Sequence, residues 1–221
     1  MKAVSEKIYD SINEAVLALV PASATYVLDI GCGSGSHARV LSQRGIIVDG
    51  ITLSEDERRF AEKWCRRVYL HDCESGLPHI EAKYDCVICS HVLEHIAAPD
   101  LLLKSISQSL SAKGVLIVAL PNLLNYKNRW HLLRGRFDYE EGGIMDYTHV
   151  RWYTFESAKR LLERHGFNVD HASASGAFPL PVIRRLLGLS GQHIWLDRLA
   201  CHYWPGLFGW QLLFVARQRR V

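Results

Sequence analysis

Seven residues constrain this chain more than any others: Asp29-Ile30-Gly31-Cys32-Gly33-Ser34-Gly35. They follow a short apolar run, Val27, Leu28 and Ile30, and precede a helix-forming stretch from Ser36 to Arg44 that Gly45 closes. Glycine tolerates left-handed backbone and has no side chain to hold a ligand away. Three of them in five residues therefore mark a tight strand-to-helix turn over which a ligand can lie. The spacing is G-x-G-x-G, with an acid two residues before the first glycine. The dinucleotide fingerprint G-x-G-x-x-G needs its third glycine one place later, at Ser36, and no acid convincingly ends the next strand. A nicotinamide dehydrogenase is thus disfavoured.

The segments around the turn alternate. Residues 5–19 carry Ile8, Ile12, Val16 and Leu19 at helical spacing, which predicts a leading helix within residues 1–22. After the glycine turn come a second strand, IIVDGITL, a helix from Ser54 to about Arg66, a third strand, VYLHD, and a fourth, YDCVICS. Asp100–Leu110 reads as a helix and VLIVALPN as a fifth strand. Strands alternating with helices predict an α/β fold with a parallel, doubly wound sheet in one domain. The rhythm breaks over residues 123–153, which are rich in Trp, Tyr, Arg and His. A connection of that length is usually functional, so it is expected to be an insertion or lid. Thr154 caps a helix ending at Gly166, FNVDHASA is a sixth strand, and GWQLLFVARQ closes the chain. The apolar, basic and aromatic segment 178–205 reads as a second lid, a dimer surface or a shallow membrane contact, and the first two fit its prolines and glycines better.

Bulk properties exclude several classes. A net charge of +3 on 221 residues gives no reason to expect a nucleic-acid partner. No stretch is apolar and long enough to span a bilayer, and the start lacks a signal-peptide core, so a cytoplasmic protein is expected. The six cysteines are scattered, several inside apolar runs, which suits reduced thiols. Cys86 and Cys89 form a C-x-x-C, but residues three apart on a strand point to opposite faces, and no second pair accompanies them. No metal site is expected.

In order along the chain, VLDIGCGSG (27–35), HDCESGLP (71–78), YDCVICSHVLEH (84–95) and KGVLIVALPN (113–122) resemble the motifs of class I S-adenosylmethionine-dependent methyltransferases. The likeness covers about residues 25–175. It is nearest the small-molecule group that includes ubiquinone-pathway O-methyltransferases and MetW-like proteins. The resemblance implies a Rossmann-like, mostly parallel seven-stranded sheet with an antiparallel last strand, and S-adenosyl-L-methionine as cofactor. It implies that Asp29 and the backbone of Gly31, Cys32, Gly33 and Gly35 cradle the methionine moiety. Thr52, Leu53 and Glu57 would lie near the ribose. Asp72 would meet the adenine amino group, with Cys73, Ser90 and His91 completing the cofactor site.

One position departs from the family. The second strand usually ends in an acid that grips both ribose hydroxyls; here Thr52 stands there, and one hydroxyl cannot replace a bidentate acceptor. The TLS sequence is similar to that of cyclopropane-fatty-acid-type enzymes, in which a side chain at the place of Glu57 reaches the ribose. Glu57 also completes the pattern Ser54-x-x-Glu57, a capping box. Asp49 is the other nearby acid.

Methyl transfer to a hydroxyl needs alignment and a base, and histidine titrates in the right range. Asp146-Tyr147-Thr148-His149-Val150-Arg151 closes the insertion, so His149 is the candidate base with Asp146 and Arg151 as orienting partners. The competing reading pairs Asp146 with Arg151 to pin the loop. His91 and His95 follow the fourth strand, where His95 suits a structural or cofactor-lining role. Arg129, Arg134 and Arg136, with Trp130 and Tyr126, suggest an anionic acceptor or a solvated helix face. The expected function is methyl transfer to a small-molecule acceptor, such as a hydroxyl of a polar metabolite, sugar or isoprenoid-linked compound. The alternative is a non-catalytic S-adenosylmethionine-fold protein that regulates a partner enzyme.

Overall fold

The computed structural model describes residues 10–178 and 195–219. Their strands form a seven-stranded sheet in the order β3-β2-β1-β4-β5-β7-β6. The strands are β1 (Tyr26–Ile30), β2 (Ile47–Thr52), β3 (Arg67–Leu70), β4 (Tyr84–Ser90), β5 (Leu110–Pro121), β6 (Phe167–Gly176) and β7 (Gly209–Gln218). β1 pairs parallel with both β2 and β4, and β2 with β3, whereas β6 and β7 pair antiparallel. The expected mixed, doubly wound architecture is therefore present.

The chain divides into two compact units, Met1–Ser90 with Ala98–Ile117, and His91–Ala97 with Val118–Val221. In the first, Val27, Leu28, Ile30, Val48, Ile51 and the four residues Cys86–Cys89 are all buried. Parallel strands covered on both faces need such near-continuous apolar runs. The helices here are α1 (Glu14–Leu17), α2 (Ser36–Ser42), α3 (Glu55–Ala61) and α4 (Pro99–Ser109). Asp49, in β2, is fully buried yet satisfied: the hydroxyls of Tyr26 and Tyr84 donate to it at 2.7 and 2.9 Å, and Arg66 donates in a fork at 3.1 and 2.9 Å. Removing one member of such a group typically costs about 3–5 kcal/mol.

In the second unit, α5 (Tyr126–Leu133), α6 (Phe155–Arg164), α7 (Trp195–Tyr203) and α8 (Pro205–Phe208) accompany β6 and β7. Thr154 caps α6, with Ser157 returning the bond in a capping box. A satellite core joins Ala200, Cys201 and Phe208 to Tyr126, Ala174 and Phe178. Asn122, at the end of β5, is fully buried and donates from Nδ2 to the carbonyls of Gly206 and Gly209 at 3.1 and 2.8 Å.

Three expectations about elements change. The leading helix shrinks, within the described residues, to the single turn of α1, because Asn13 caps it by accepting from Val16 N–H; Ile12 is exposed and Ile8 lies outside the described residues. α3 ends at Ala61 rather than near Arg66. The insertion contains a helix, α5, whose start is set by Asn125 accepting from Lys127 and Asn128 N–H. Of segment 178–205, residues 179–194 lie outside the described residues, and the rest is Phe178, α7, Trp204 and the first residue of α8.

Candidate active site

The glycine turn lies between β1 and α2. Gly31, Gly33 and Gly35 all have positive φ, 71°, 53° and 84°. A side chain in that conformation costs about 1–2 kcal/mol. Space adds to the demand at Gly35, where a Cβ would lie 2.9 Å from the Cα of Ala61. The turn is pinned to β2, since Gly31 and Cys32 N–H both donate to the Ile51 carbonyl at 2.9 Å. Gly50 makes room for this: a Cβ there would meet the Cys32 sulfur at 2.6 Å. Cys32 is thus a packing residue, and a hydrogen bond with Cys65, then burial, push its thiol pKa far up.

Asp29 ends up nearly fully buried, with only half of its carboxylate engaged. Oδ2 lies 3.1 Å from His37 Nδ1, and Oδ1 has no partner. His37 Nε2 accepts from Asn13 N–H at 3.2 Å, so in the neutral ring Nδ1 carries the proton and donates to Asp29. Burial disfavours the charged ring, but the charge and hydrogen bond of Asp29 outweigh it and hold the His37 pKa above its ordinary value. Asn13 also donates from Nδ2 to Ser90 Oγ at 3.3 Å. A buried carboxylate oxygen without a partner is costly. It fits a ligand that brings its own donors, which is true of S-adenosylmethionine, with an ammonium and ribose hydroxyls and no phosphate.

At the end of β2 a carboxylate arrives from the neighbouring helix. Thr52 Oγ1 donates to Glu57 Oε2 at 2.5 Å, and both residues are buried. Ser54 caps α3 by accepting from Glu57 N–H at 3.3 Å. The reciprocal half of the expected capping box is missing, because Ser54 N–H donates to Thr52 Oγ1 instead. Glu57 thus places its acid beside the threonine that replaces the usual one. Asp49 is withdrawn into its own buried network. Leu53 is 71% exposed.

Asp72 caps the short 3-10 turn Cys73–Ser75, accepting from Glu74 N–H through Oδ1 at 3.0 Å. Cys73 is buried, and burial together with the Asp72 charge pushes its thiol up to about 12. All six cysteines are buried and none is in a disulfide, Cys86 and Cys89 lying in the core of β4.

In the second unit, His91 adopts φ 55°, the left-handed region that non-glycine residues avoid. Such strain concentrates at functional sites. Its ring bridges Glu94 Oε1 and Gln211 Oε1, each at 3.1 Å. The 142–151 loop docks on the same short segment: Val150 and Arg151 N–H both donate to the Glu94 carbonyl, at 2.9 and 3.0 Å, and Arg151 Nε donates to the Ala97 carbonyl at 2.7 Å. The carboxylate of Asp146 is consumed within the loop, accepting from Thr148 N–H and Oγ1 and from Gly142 N–H at 2.7, 2.6 and 2.7 Å. His149 is buried, and its Nδ1 donates to the Ile144 carbonyl at 3.0 Å. Asp146 and Arg151 therefore neither pair with each other nor hydrogen-bond to His149. The loop brings His149 instead to Glu94 and His95, a grouping that spacing along the chain did not reveal. Two arginines of the insertion make local contacts: Arg134 stacks over Trp130 at 4.3 Å and Arg129 Nε donates to the Leu124 carbonyl.

A profile of the methyltransferase domain family matches residues 3–172. Among curated proteins, a ubiquinone biosynthesis O-methyltransferase of Leptothrix cholodnii is 31% identical over 110 residues, 43% of this chain and 44% of that protein. A pavine N-methyltransferase of Thalictrum flavum is 32% identical over 99 residues, 42% of this chain and 28% of that protein. The matched part thus spans less than half the length of these relatives. In fold, the chain is similar to a SAM-dependent methyltransferase of Archaeoglobus fulgidus, with a TM-score of 0.62 and 21% identity over 93% of this chain and 94% of that one. No helix among the described residues is long and apolar enough to cross a membrane. With the glycine turn and the sheet order already in place, the match over residues 3–172 means that the chain belongs to the methyltransferase domain family.

Proposed function

We propose that the chain transfers the methyl group of S-adenosylmethionine to a hydroxyl of a small molecule, of the polar-metabolite, sugar or isoprenoid-linked kind. The observation that carries this is the unpartnered, buried Oδ1 of Asp29 beside three left-handed glycines. Asp29 would take donors of the methionine part, Glu57 with Thr52 the ribose hydroxyls, and Asp72 the adenine amino group. The cofactor supplies an electrophilic methyl group on a sulfonium. An acceptor oxygen would bond to that carbon as the sulfur–carbon bond breaks. The acceptor's proton leaves, and a methyl ether and S-adenosylhomocysteine result. The chain's own contribution is orientation, which can be worth several kcal/mol, and removal of that proton. The names of the matched O- and N-methyltransferases support methyl transfer as the reaction class.

Calorimetry tests the cofactor half. S-adenosylhomocysteine should bind and NAD should not; the reverse result would overturn the proposal. For the acceptor half, label from S-adenosylmethionine should pass to members of a hydroxyl-bearing acceptor panel in an alkali-stable ether linkage. Label recovered only on amines would move the activity to nitrogen.

A further inference from the structure

Glu94, His95 and His149 each contribute one donor atom to a group in which all three atoms lie within 4.8 Å of one another. The bonds that surround the group identify those atoms. Glu94 is fully buried; His91 occupies its Oε1, and its Oε2 has no partner. His149 Nδ1 faces the Ile144 carbonyl at 3.0 Å, and His95 Nδ1 faces the Thr148 carbonyl and hydroxyl oxygen, each at 3.2 Å, that hydroxyl giving its own proton to Asp146. A carbonyl can only accept, so both Nδ1 atoms carry the proton and both Nε2 atoms present lone pairs. One carboxylate oxygen and two imidazole lone pairs therefore converge with no hydrogen among them. Three acceptors facing one another repel, and Glu94 Oε2, buried and without a partner, is the one most in need of a positive charge to join them.

We propose that Glu94, His95 and His149 bind a divalent first-row transition-metal ion. Two imidazoles and one carboxylate are nitrogen and oxygen donors suited to zinc, iron or cobalt, and three protein ligands leave coordination positions open. Each ligand already has the outer partner that such sites use to fix orientation: His91 for Glu94, the Ile144 carbonyl for His149, the Thr148 carbonyl for His95. Metal–ligand bonds of about 2.0–2.2 Å require the three donors to draw closer than 4.8 Å. The exposed His95 is the member free to move inward. The backbone bonds from Val150 and Arg151 to Glu94 hold the two halves of the site together. An open position on such an ion would lower the pKa of a hydroxyl or water bound there. His149 would then act as a ligand rather than as the base.

The metal claim is testable without cofactor or acceptor, which separates it from the methyl-transfer claim. The full chain, stripped with a chelator, is titrated with cobalt(II) and followed by visible absorption. One saturable equivalent is expected, with ligand-field bands and no thiolate-to-cobalt charge-transfer band. His95→Ala and His149→Ala should each weaken binding by about 100-fold or more, at least the scale of losing a supporting partner. His171→Ala, at an exposed histidine outside the group, should leave it unchanged. His95 is exposed, so its variant keeps the fold, as circular dichroism would verify. The proposal is overturned by no saturable binding at millimolar cobalt, by equal affinity in both cluster variants, or by a thiolate band assigning the ion to cysteine. S-adenosylhomocysteine affinity, measured on the same preparations, reports separately on the cofactor site.

Discussion

Asp29 and Asp146 occupy similar settings in sequence, each an acid near glycines and a histidine, yet the fold treats them in opposite ways. Asp29 is buried and half satisfied, with one oxygen on His37 and the other on nothing. Asp146 is partly exposed, and both of its oxygens are taken by its own loop. A carboxylate whose bonds are all internal builds the loop that carries it. A buried carboxylate with an unmade bond costs stability unless something else completes it. Acid, histidine and glycine in one short stretch therefore say little about function by themselves; the satisfaction of each oxygen separates the two sites.

The glycines of the first region give the largest expected effect. Gly33→Val places a branched side chain at φ 53° where the ligand approaches the backbone. S-adenosylhomocysteine binding should become undetectable by calorimetry while the sheet persists by circular dichroism. If binding survives, the cofactor does not lie over this turn and the contrast with the Asp146 loop loses its meaning.

Asp29→Asn should come next. Charge-assisted hydrogen bonds are worth about 1.5–3 kcal/mol, so affinity for S-adenosylhomocysteine should fall by about 10- to 100-fold. Unchanged affinity with a lowered melting temperature would show that Asp29 serves only His37, and would make it a structural acid like Asp146.

Glu57 tests whether a helix has taken over the duty of a strand end. Glu57→Ala should weaken S-adenosylhomocysteine binding by about ten-fold, the scale of one lost charged bond. A pure capping role would instead cost about 1 kcal/mol of stability and leave affinity alone. Glu57→Gln keeps an acceptor for Thr52 and should fall between the two.

What the sequence made legible was local. The glycine turn is contiguous, strands and helices alternate along its neighbours, and β7 occupies the very run GWQLLFVARQ. The Glu94–His95–His149 group was not legible. Glu94 sits in a three-residue turn after β4, and His149 reaches it only because backbone bonds from Val150 and Arg151 land on the Glu94 carbonyl. Backbone docking of that kind leaves no side-chain pattern to read. The misplaced roles of Asp146 and Arg151 share this cause: charge suggested a relay, but loop backbone groups and the Ala97 carbonyl were nearer partners. α5 was foreshadowed only as a solvated helix face, because none of its residues is buried and Trp130, Leu132 and Leu133 are exposed, so it has no periodic stripe.

The smallest effect is expected at Asp146, where the comparison is sharpest. Asp146→Ala removes three hydrogen bonds that hold residues 142–148 and should lower stability by about 1–2 kcal/mol. Affinity for S-adenosylhomocysteine should not change, since the bonds lost lie within one loop of the second unit. The pH dependence distinguishes this from nonspecific damage. Burial alone would raise the Asp146 pKa, but the bonds from Thr148 and Gly142 and the nearby His149 outweigh it and hold it below the ordinary carboxylate value. A depressed pKa means the folded state favours the charged form. The stability it confers is therefore fully present above the unfolded aspartate pKa and is lost as pH falls through the lower, folded value. Melting curves of the two proteins should accordingly stay a constant distance apart from neutral pH down to about pH 5 and converge only in stronger acid. Convergence near neutral pH would instead tie the effect to a histidine. A drop in cofactor affinity would return Asp146 to the same class as Asp29.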